Sequence, residues 1–390
     1  MGIYLGIISI FTFTIWAKEK ININNIYTRK VVALIAMLEI SIFSGIRNLY
    51  VGIDIGTYGN LIFNSVVNFG IKSTLVNYKR WADIGYVFLN YLVSFFTSNI
   101  HMLLGVQTFI IQLSFFLFFN SINKKKFSLP LALALTNILF LPFSFSMLRQ
   151  SLAIAIVIWI PKLIFEKKYI NFLLFSYIGY SLHKSSILAI IFYVSICLIV
   201  NKTKKYYAIQ ASLVAGILAI FFLAVIKFFP QSVLYFSNLL NVAIFNSSNT
   251  LSLIRFLLFL FPILLLGIIN NKKFITGRRD YSMFLFSLIL VILNLISGIN
   301  FGIFRFSFFF FPIYITFIIL QIGKIEKNIT KKIISLIIVI WIILCLYLLI
   351  YRENMGGIFP YVTYWKTYNP TWINDLGSWV DKTKFYNLYN

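Results

Sequence analysis

Arg47, Arg149, the His183-Lys184 pair, Arg255 and Arg305 stand apart from the other basic residues of this 390-residue chain. Most other lysines and arginines fall in short connections between apolar runs, whereas these lie at or just inside the ends of the runs themselves. A charge near hydrocarbon costs roughly 2.5 to 3.5 kcal/mol on insertion scales, so a group kept there is expected to face a polar cavity or a bound anion. Arg149-Gln150 has the tightest setting, with Phe143 to Leu148 before it, an apolar run from Ser151 to Ile160 after it and almost no loop between. Its guanidinium fork matches a phosphate or diphosphate, and a helix begins there with the positive end of its dipole. An interface anchor is the alternative reading. Arg305 is flanked on both sides by apolar residues in Phe301 to Phe306, and Arg255 lies about one turn into its own run.

Titratable partners for these cations are few. His183 closes one apolar run and Lys184-Ser185-Ser186 leads into the next, so it is either a satisfied structural histidine or a base in contact with substrate. Arg47 opens a glycine-punctuated stretch, Gly45 to Tyr58, that also holds Asp54. Taken alone Arg47 reads as a snorkelling anchor; together with Asp54 it reads as part of a polar turn. Asp83 is either the N-cap of the following helix or a functional acid. Glu39, in the middle of a run, is expected to pair with a cation or to stay protonated. There is no GxxxxGK[ST], GxSxG, HExxH or paired-cysteine motif, and the two cysteines, Cys197 and Cys345, each lie inside apolar runs. With ten acidic residues in all, a metal site of several carboxylates is not expected, nor is any cofactor.

The elements that must position these groups are membrane helices. A mean hydropathy of +0.90, with 60% hydrophobic and 11% charged residues, lies far outside the soluble range, and apolar stretches recur from one terminus to the other. The net charge of +24 is dispersed through connections such as Lys124 to Lys126, Lys202 to Lys205 and Lys272 to Arg279, as the positive-inside bias requires, so it implies no nucleic-acid partner. The expected fold is an all-α polytopic integral membrane protein with about 14 transmembrane or re-entrant helices over residues 1–351 and an external aromatic-rich tail over 352–390. Residues 1–17 read as a retained helix with its N-terminus outside. One conflict arises: if 31–46 and 82–98 are consecutive spans, Lys124 to Lys126 fall outside. It disappears if residues 55–71 also cross, or dip in far enough to return Lys72, Lys79 and Arg80 to the cytoplasm. Arg47, Asp54, Arg149, His183 and Arg305 then share the external side.

The order Gly45-x-Arg47, Val51-Gly52-x-Asp54 with Tyr58, then Asp83-x-Gly85-Tyr86, Arg149-Gln150 and His183-x-Ser185 resembles the EpsG branch of the Wzy-type polysaccharide polymerases. The likeness is close over the first half of the chain, with Arg305 added from the second. Ile84, Asp83 and Ser146 stand where that pattern has proline, glutamate and asparagine. The resemblance implies a multi-pass enzyme of the bacterial cytoplasmic (inner) membrane that joins oligosaccharide repeat units carried on undecaprenyl diphosphate, among membrane lipids and with a chain-length regulator as partner. No nucleotide or metal is implied. Arg149 and Arg305, with Arg47, Gln150 and Tyr58, would then hold the diphosphate or substrate, and His183 or Asp54 would serve as base. A lipid-linked oligosaccharide flippase and another lipid-diphosphate-dependent transferase or ligase are the rival readings; a transporter's basic residues should line a pathway reaching both faces.

Overall fold

The computed structural model describes residues 2–21, 25–52, 54–78, 83–122, 127–201, 247–270, 273–297 and 301–353, together with Tyr361 and Thr363. Its helices are α1 (Gly2–Lys20), α2 (Ile26–Gly45), a π-helical segment (Ile55–Leu61) continuing into α3 (Ile62–Asn77), α4 (Ile84–Ser94), α5 (Ile100–Asn120), α6 (Leu129–Ser144), α7 (Leu148–Val157), α8 (Ile160–Phe165), α9 (Tyr169–Leu182), α10 (Ser186–Asn201), α11 (Ser247–Asn270), α12 (Arg278–Ile296), α13 (Phe301–Ser307), α14 (Phe311–Gly323) and α15 (Asn328–Glu353). Among the described residues the only extended pairing is a single antiparallel bridge between Arg47 and Thr363. The chain is thus an all-α membrane protein, as its hydropathy requires, because hydrocarbon leaves no other partner for backbone N–H and C=O groups. Residues 202–246, most of the expected external tail, and Lys79 and Arg80 lie outside the described residues.

Several crossings are built from pieces, and proline sets the breaks. A proline ring clashes with the carbonyl four residues earlier. For Pro161 that residue is Val157, where α7 ends; for Pro312 it is Phe308, in the turn that follows α13. Together α7 and α8 make one apolar span, Leu148–Phe165, and α5, α11, α12 and α15 each contain one of comparable length. The turn between α13 and α14 is the centre of the core. Phe308, Phe309, Phe310 and Phe311 are all buried there, against Phe143 and Phe140 of α6 and Phe192 of α10. The phenylalanine run is therefore packing, with edge-to-face and tilted contacts that favour aromatic pairs beyond their area.

Charge separates the two ends of the bundle. At one end Lys18 lies over the ring of Phe116 at 4.9 Å, Lys324 pairs with Asp280 at 2.9 Å, Lys273 pairs with Glu326, and a cavity of about 230 Å³ is lined in part by Ile122, Lys162, Glu166 and Arg279. This lysine-rich end is the inner face by the positive-inside rule. The opposite end collects Arg47, Asp54, Asp83, Arg149 and Arg305. Between the two ends, Glu39 pairs with no cation among the described residues: it accepts from the Thr14 hydroxyl at 3.0 Å, which joins α2 to α1.

Of the two courses expected for 55–71 the chain takes the re-entrant one, without reaching the inner end, and 82–98, expected to span, does not cross. Gly70 takes φ 74° and ψ 179°, a conformation that side chains other than hydrogen rarely allow, and the chain turns back on itself at that point. The Ser65 and Thr74 hydroxyls consequently meet at 2.8 Å, although nine residues of straight helix would hold them roughly 13 Å apart. Returning to the outer end, the chain places Asp83 beside Arg149. The 11 residues of α4 span only about 16 Å of a hydrocarbon core about 30 Å thick. Val93 near its end packs in one cluster with Ile100, Ile55 and Leu148, all from the outer side. Losing two crossings together leaves the alternation of later connections unchanged, which is why Lys18, Lys162, Lys273 and Lys324 still gather at one end. A cysteine introduced at the exposed Asn77 should therefore react with an impermeant thiol reagent applied outside intact cells. Labelling only after permeabilisation would restore the crossing helix.

Candidate active site

Two arginine–carboxylate pairs form the centre of the outer end. Arg149 donates through Nη1 to Asp83 Oδ2 at 2.5 Å, and Arg305 donates through Nη2 to Asp54 Oδ2 at 3.0 Å. The two are joined covalently and by hydrogen bonds. Gln150 Nε2 donates to the Arg305 carbonyl at 2.6 Å, so the residue after one arginine grips the backbone of the other. Arg305 also donates to the Ser146 carbonyl, three residues before Arg149. Both carboxylates and Arg149 are largely buried, whereas Arg305 keeps 29% of its side chain exposed and is the more accessible cation.

Aromatic side chains fix the arginine planes. The guanidinium of Arg149 lies 3.6 Å from the ring centroid of Tyr58, a cation–π contact that covers a face and leaves the edge for its polar partners. Tyr58 is itself tied to α4 and α5: the Tyr86 hydroxyl donates to the Tyr58 carbonyl, and Gln107 Nε2 donates to the Tyr86 hydroxyl, each at 3.0 Å. Gly52 completes the frame. At φ 109° its backbone lies so close to Phe145 that an added Cβ would fall 2.2 Å from the Phe145 carbonyl oxygen, beside the Ser146 carbonyl that Arg305 uses. A side chain here would push apart the segments that hold Asp54 and Arg305.

His183 lies in the connection between α9 and α10. Its Nδ1 is buried and makes no hydrogen bond among the described residues. Burial, then the charges of Arg149 and Arg305, lower its pKa to about 3, so the imidazole is neutral and an acceptor in this setting. Burial also pushes the Asp83 carboxyl up from its ordinary value, against the pull of Arg149 and of Lys184.

Of the residues singled out in the sequence, the structure thus brings Asp54, Tyr58, Arg149, Gln150, His183 and Arg305 into one neighbourhood. Arg47 is engaged differently. It is 1% exposed, donates through Nη1 to the backbone carbonyl and hydroxyl of Ser44, and lies 4.0 Å above the ring of Phe145. Tyr361 closes over the same corner, stacked on Phe43 at 4.3 Å and donating to the Phe43 carbonyl. Arg255 is buried too, bonded to Ser297 and placed over Phe304, the neighbour of Arg305. The pairing of Asp83 was open in the sequence. Its backbone has N-cap geometry, yet the carboxylate makes no capping bond and turns to Arg149. Gln107 was not singled out at all, although a glutamine within an apolar run was the available signal.

A model of the EpsG family matches residues 30–363, from the first turns of α2 to the residue bridged to Arg47. The chain belongs to the EpsG family. No curated protein and no solved structure matches it. Membership makes it a multi-pass membrane protein of the polysaccharide-polymerase type, and the two ion pairs, Tyr58, Gln150 and His183 all fall within the matched region.

Removing one member of a buried ion pair leaves an uncompensated charge, at a cost of about 3–5 kcal/mol, while replacing both can be nearly neutral. Arg149→Met should therefore lower the thermal midpoint of the detergent-purified protein by several degrees, and Arg149→Met combined with Asp83→Asn should recover most of the loss. Additive losses in the double variant would show that the pair is not coupled.

Proposed function

We propose that this member of the EpsG family is a metal-independent glycosyltransferase that polymerises oligosaccharide repeat units carried on undecaprenyl diphosphate, at the outer face of the bacterial cytoplasmic membrane. The observation that carries this reading is the convergence of Arg149, Arg305 and a neutral, buried His183 at the outer end of the bundle. In the reaction, a hydroxyl of the incoming unit attacks the anomeric carbon of the growing chain. The new glycosidic bond forms as the carbon–oxygen bond to the diphosphate breaks, and the electron pair leaves with the diphosphate. Cations aimed at the departing oxygens stabilise that charge, which suits Arg149 and Arg305. The hydroxyl proton passes to His183 or to Asp54.

Burial is the first cause of the lowered basicity of His183, followed by the charges of Arg149 and Arg305, and the neutral ring is in the form that accepts a proton. Arg47 supports the site through the Phe145 corner in this scheme and does not touch the diphosphate, whereas Gln150 and Tyr58 hold the two arginines in register.

Arg149→Lys retains the charge but loses the fork, and should abolish most polymer while leaving the protein in the membrane. His183→Ala should do the same. Cells carrying either variant should accumulate single lipid-linked repeat units that are accessible from outside, read by surface labelling and by chain-length profiles. Accumulation on the cytoplasmic side instead would make the protein a mover of its substrate and remove the transferase reading.

A further inference from the structure

The two carboxylates of the site sit at the two roots of one structural unit. Asp54 immediately precedes the π-helical segment, Asp83 immediately precedes α4, and between them runs the re-entrant hairpin that turns at Gly70. Beyond its roots, the hairpin leans chiefly on α4, and the two present apolar side chains outward: Phe69 and Val76 of the hairpin are 66% and 70% exposed, Phe88 of α4 and Phe96 just after it 52% and 90%. Such a surface faces lipid at the level of the outer leaflet. Its polar ties to the rest of the bundle at this level are the ion pairs to Arg305 and Arg149 and the Tyr58 ring against Arg149, beside apolar packing of Ile55 and Phe63 on Ile100, Leu103, Leu104 and Leu148.

Charge and space both bear on what happens when an anion reaches these arginines. A lipid-linked diphosphate carries one negative charge on each phosphate, and the two arginines already carry one carboxylate each. Arg149, with its ring face covered by Tyr58 and its side chain 13% exposed, has little free edge to offer a second anion. Lys184 lies within electrostatic reach of Asp83, and so gives that carboxylate a second cation to turn to.

We propose that Asp54 and Asp83 occupy the two diphosphate subsites and are displaced one for one by the phosphates of the lipid-linked substrate, so that substrate binding unfastens both roots of the 55–78 hairpin. This rests on the function proposed above. The exchange conserves charge at the arginines, and it couples recognition of the diphosphate to movement of the element that borders the bilayer. An incoming lipid would open its own route between the hairpin and the bundle, and the carboxylates would close it again when the diphosphate leaves. The two aspartates act here as competitors of the substrate, not as groups that orient the arginines for it.

The test uses the full-length protein in lipid nanodiscs with inorganic pyrophosphate as the probe. Asp83→Asn and Asp54→Asn each remove a competitor and should tighten pyrophosphate binding about tenfold. A second measurement leaves the aspartates intact. Spin labels on cysteines at Asn77 in the hairpin and Tyr180 in α9, with Cys197 and Cys345 replaced by alanine, should report a lengthened or broadened distance when pyrophosphate is added. Weaker binding in the asparagine variants, beside normal binding in the unmodified protein, would overturn the exchange and leave the transferase reading standing. An unchanged label distance at saturating pyrophosphate would overturn the release of the hairpin. Absence of pyrophosphate binding in every form would overturn the exchange and the function on which it rests together.

Discussion

Everything at the outer end of this protein follows from keeping two arginines at the edge of a low-dielectric slab. An isolated cation there is costly, and a long flexible side chain would ordinarily snorkel away. Arg149 and Arg305 are instead held by carboxylates, by the Ser146 carbonyl and, for Arg149, by the face of Tyr58. Because the carboxylates come from Asp54 and Asp83, the chain between them must start and end at the outer surface. The turn at Gly70, with its Ser65–Thr74 contact, meets that requirement. The re-entrant course of residues 55–78 thus fits the pairing of charges.

Much of the architecture was legible in the sequence, because hydropathy and the sidedness of lysine are properties of each segment by itself. The all-α membrane fold and the gathering of Arg149, His183 and Arg305 at the end opposite Lys273 and Lys324 could be read that way. For residues 55–71 the sequence left crossing and re-entry open, and the choice between them was not legible. The segment's apolar content resembles that of a weak span, and the fact that decides between crossing and return is an ion pair between residues 66 positions apart. Hydropathy also cannot distinguish two arginines with similar flanks. Arg47 and Arg305 both stand at the end of an apolar run, yet one is spent on Ser44 and Phe145 while the other keeps an exposed edge beside Asp54. Glu39 was legible as a charge needing a partner, but the partner is a hydroxyl on the neighbouring helix, which charge counting does not search for.

The glycines and polar residues near the site make sense only when placed together. Gly52 looks like one of several loop glycines in sequence, and becomes a requirement when its backbone meets that of Phe145. Tyr86 and Gln107 are the polar members of two otherwise apolar helices, and they meet to carry the strand of hydrogen bonds that ends on the Tyr58 carbonyl. A buried polar chain of this kind is expensive when incomplete and rigid when complete. Here it fixes the ring on which Arg149 lies, so the position of a catalytic candidate is set by residues two helices away.

Below the arginines lies an aromatic floor. Phe304 packs on Phe143 and Phe308, Phe308 packs on Phe140 and Phe311, and all are buried. Among the described residues, the outer arginines and the inner cluster of Lys273, Asp280 and Lys324 lie on opposite sides of this packing, which also encloses neutral polar pairs such as Gln112 with Asn137 and Asn294 with Ser307. A floor of this kind keeps the two arginines at one face and lowers the local dielectric, so that each guanidinium acts on a nearby charge with little screening. The phenylalanine richness of the chain, which in sequence reads as mere membrane composition, is thus part of what surrounds the paired charges.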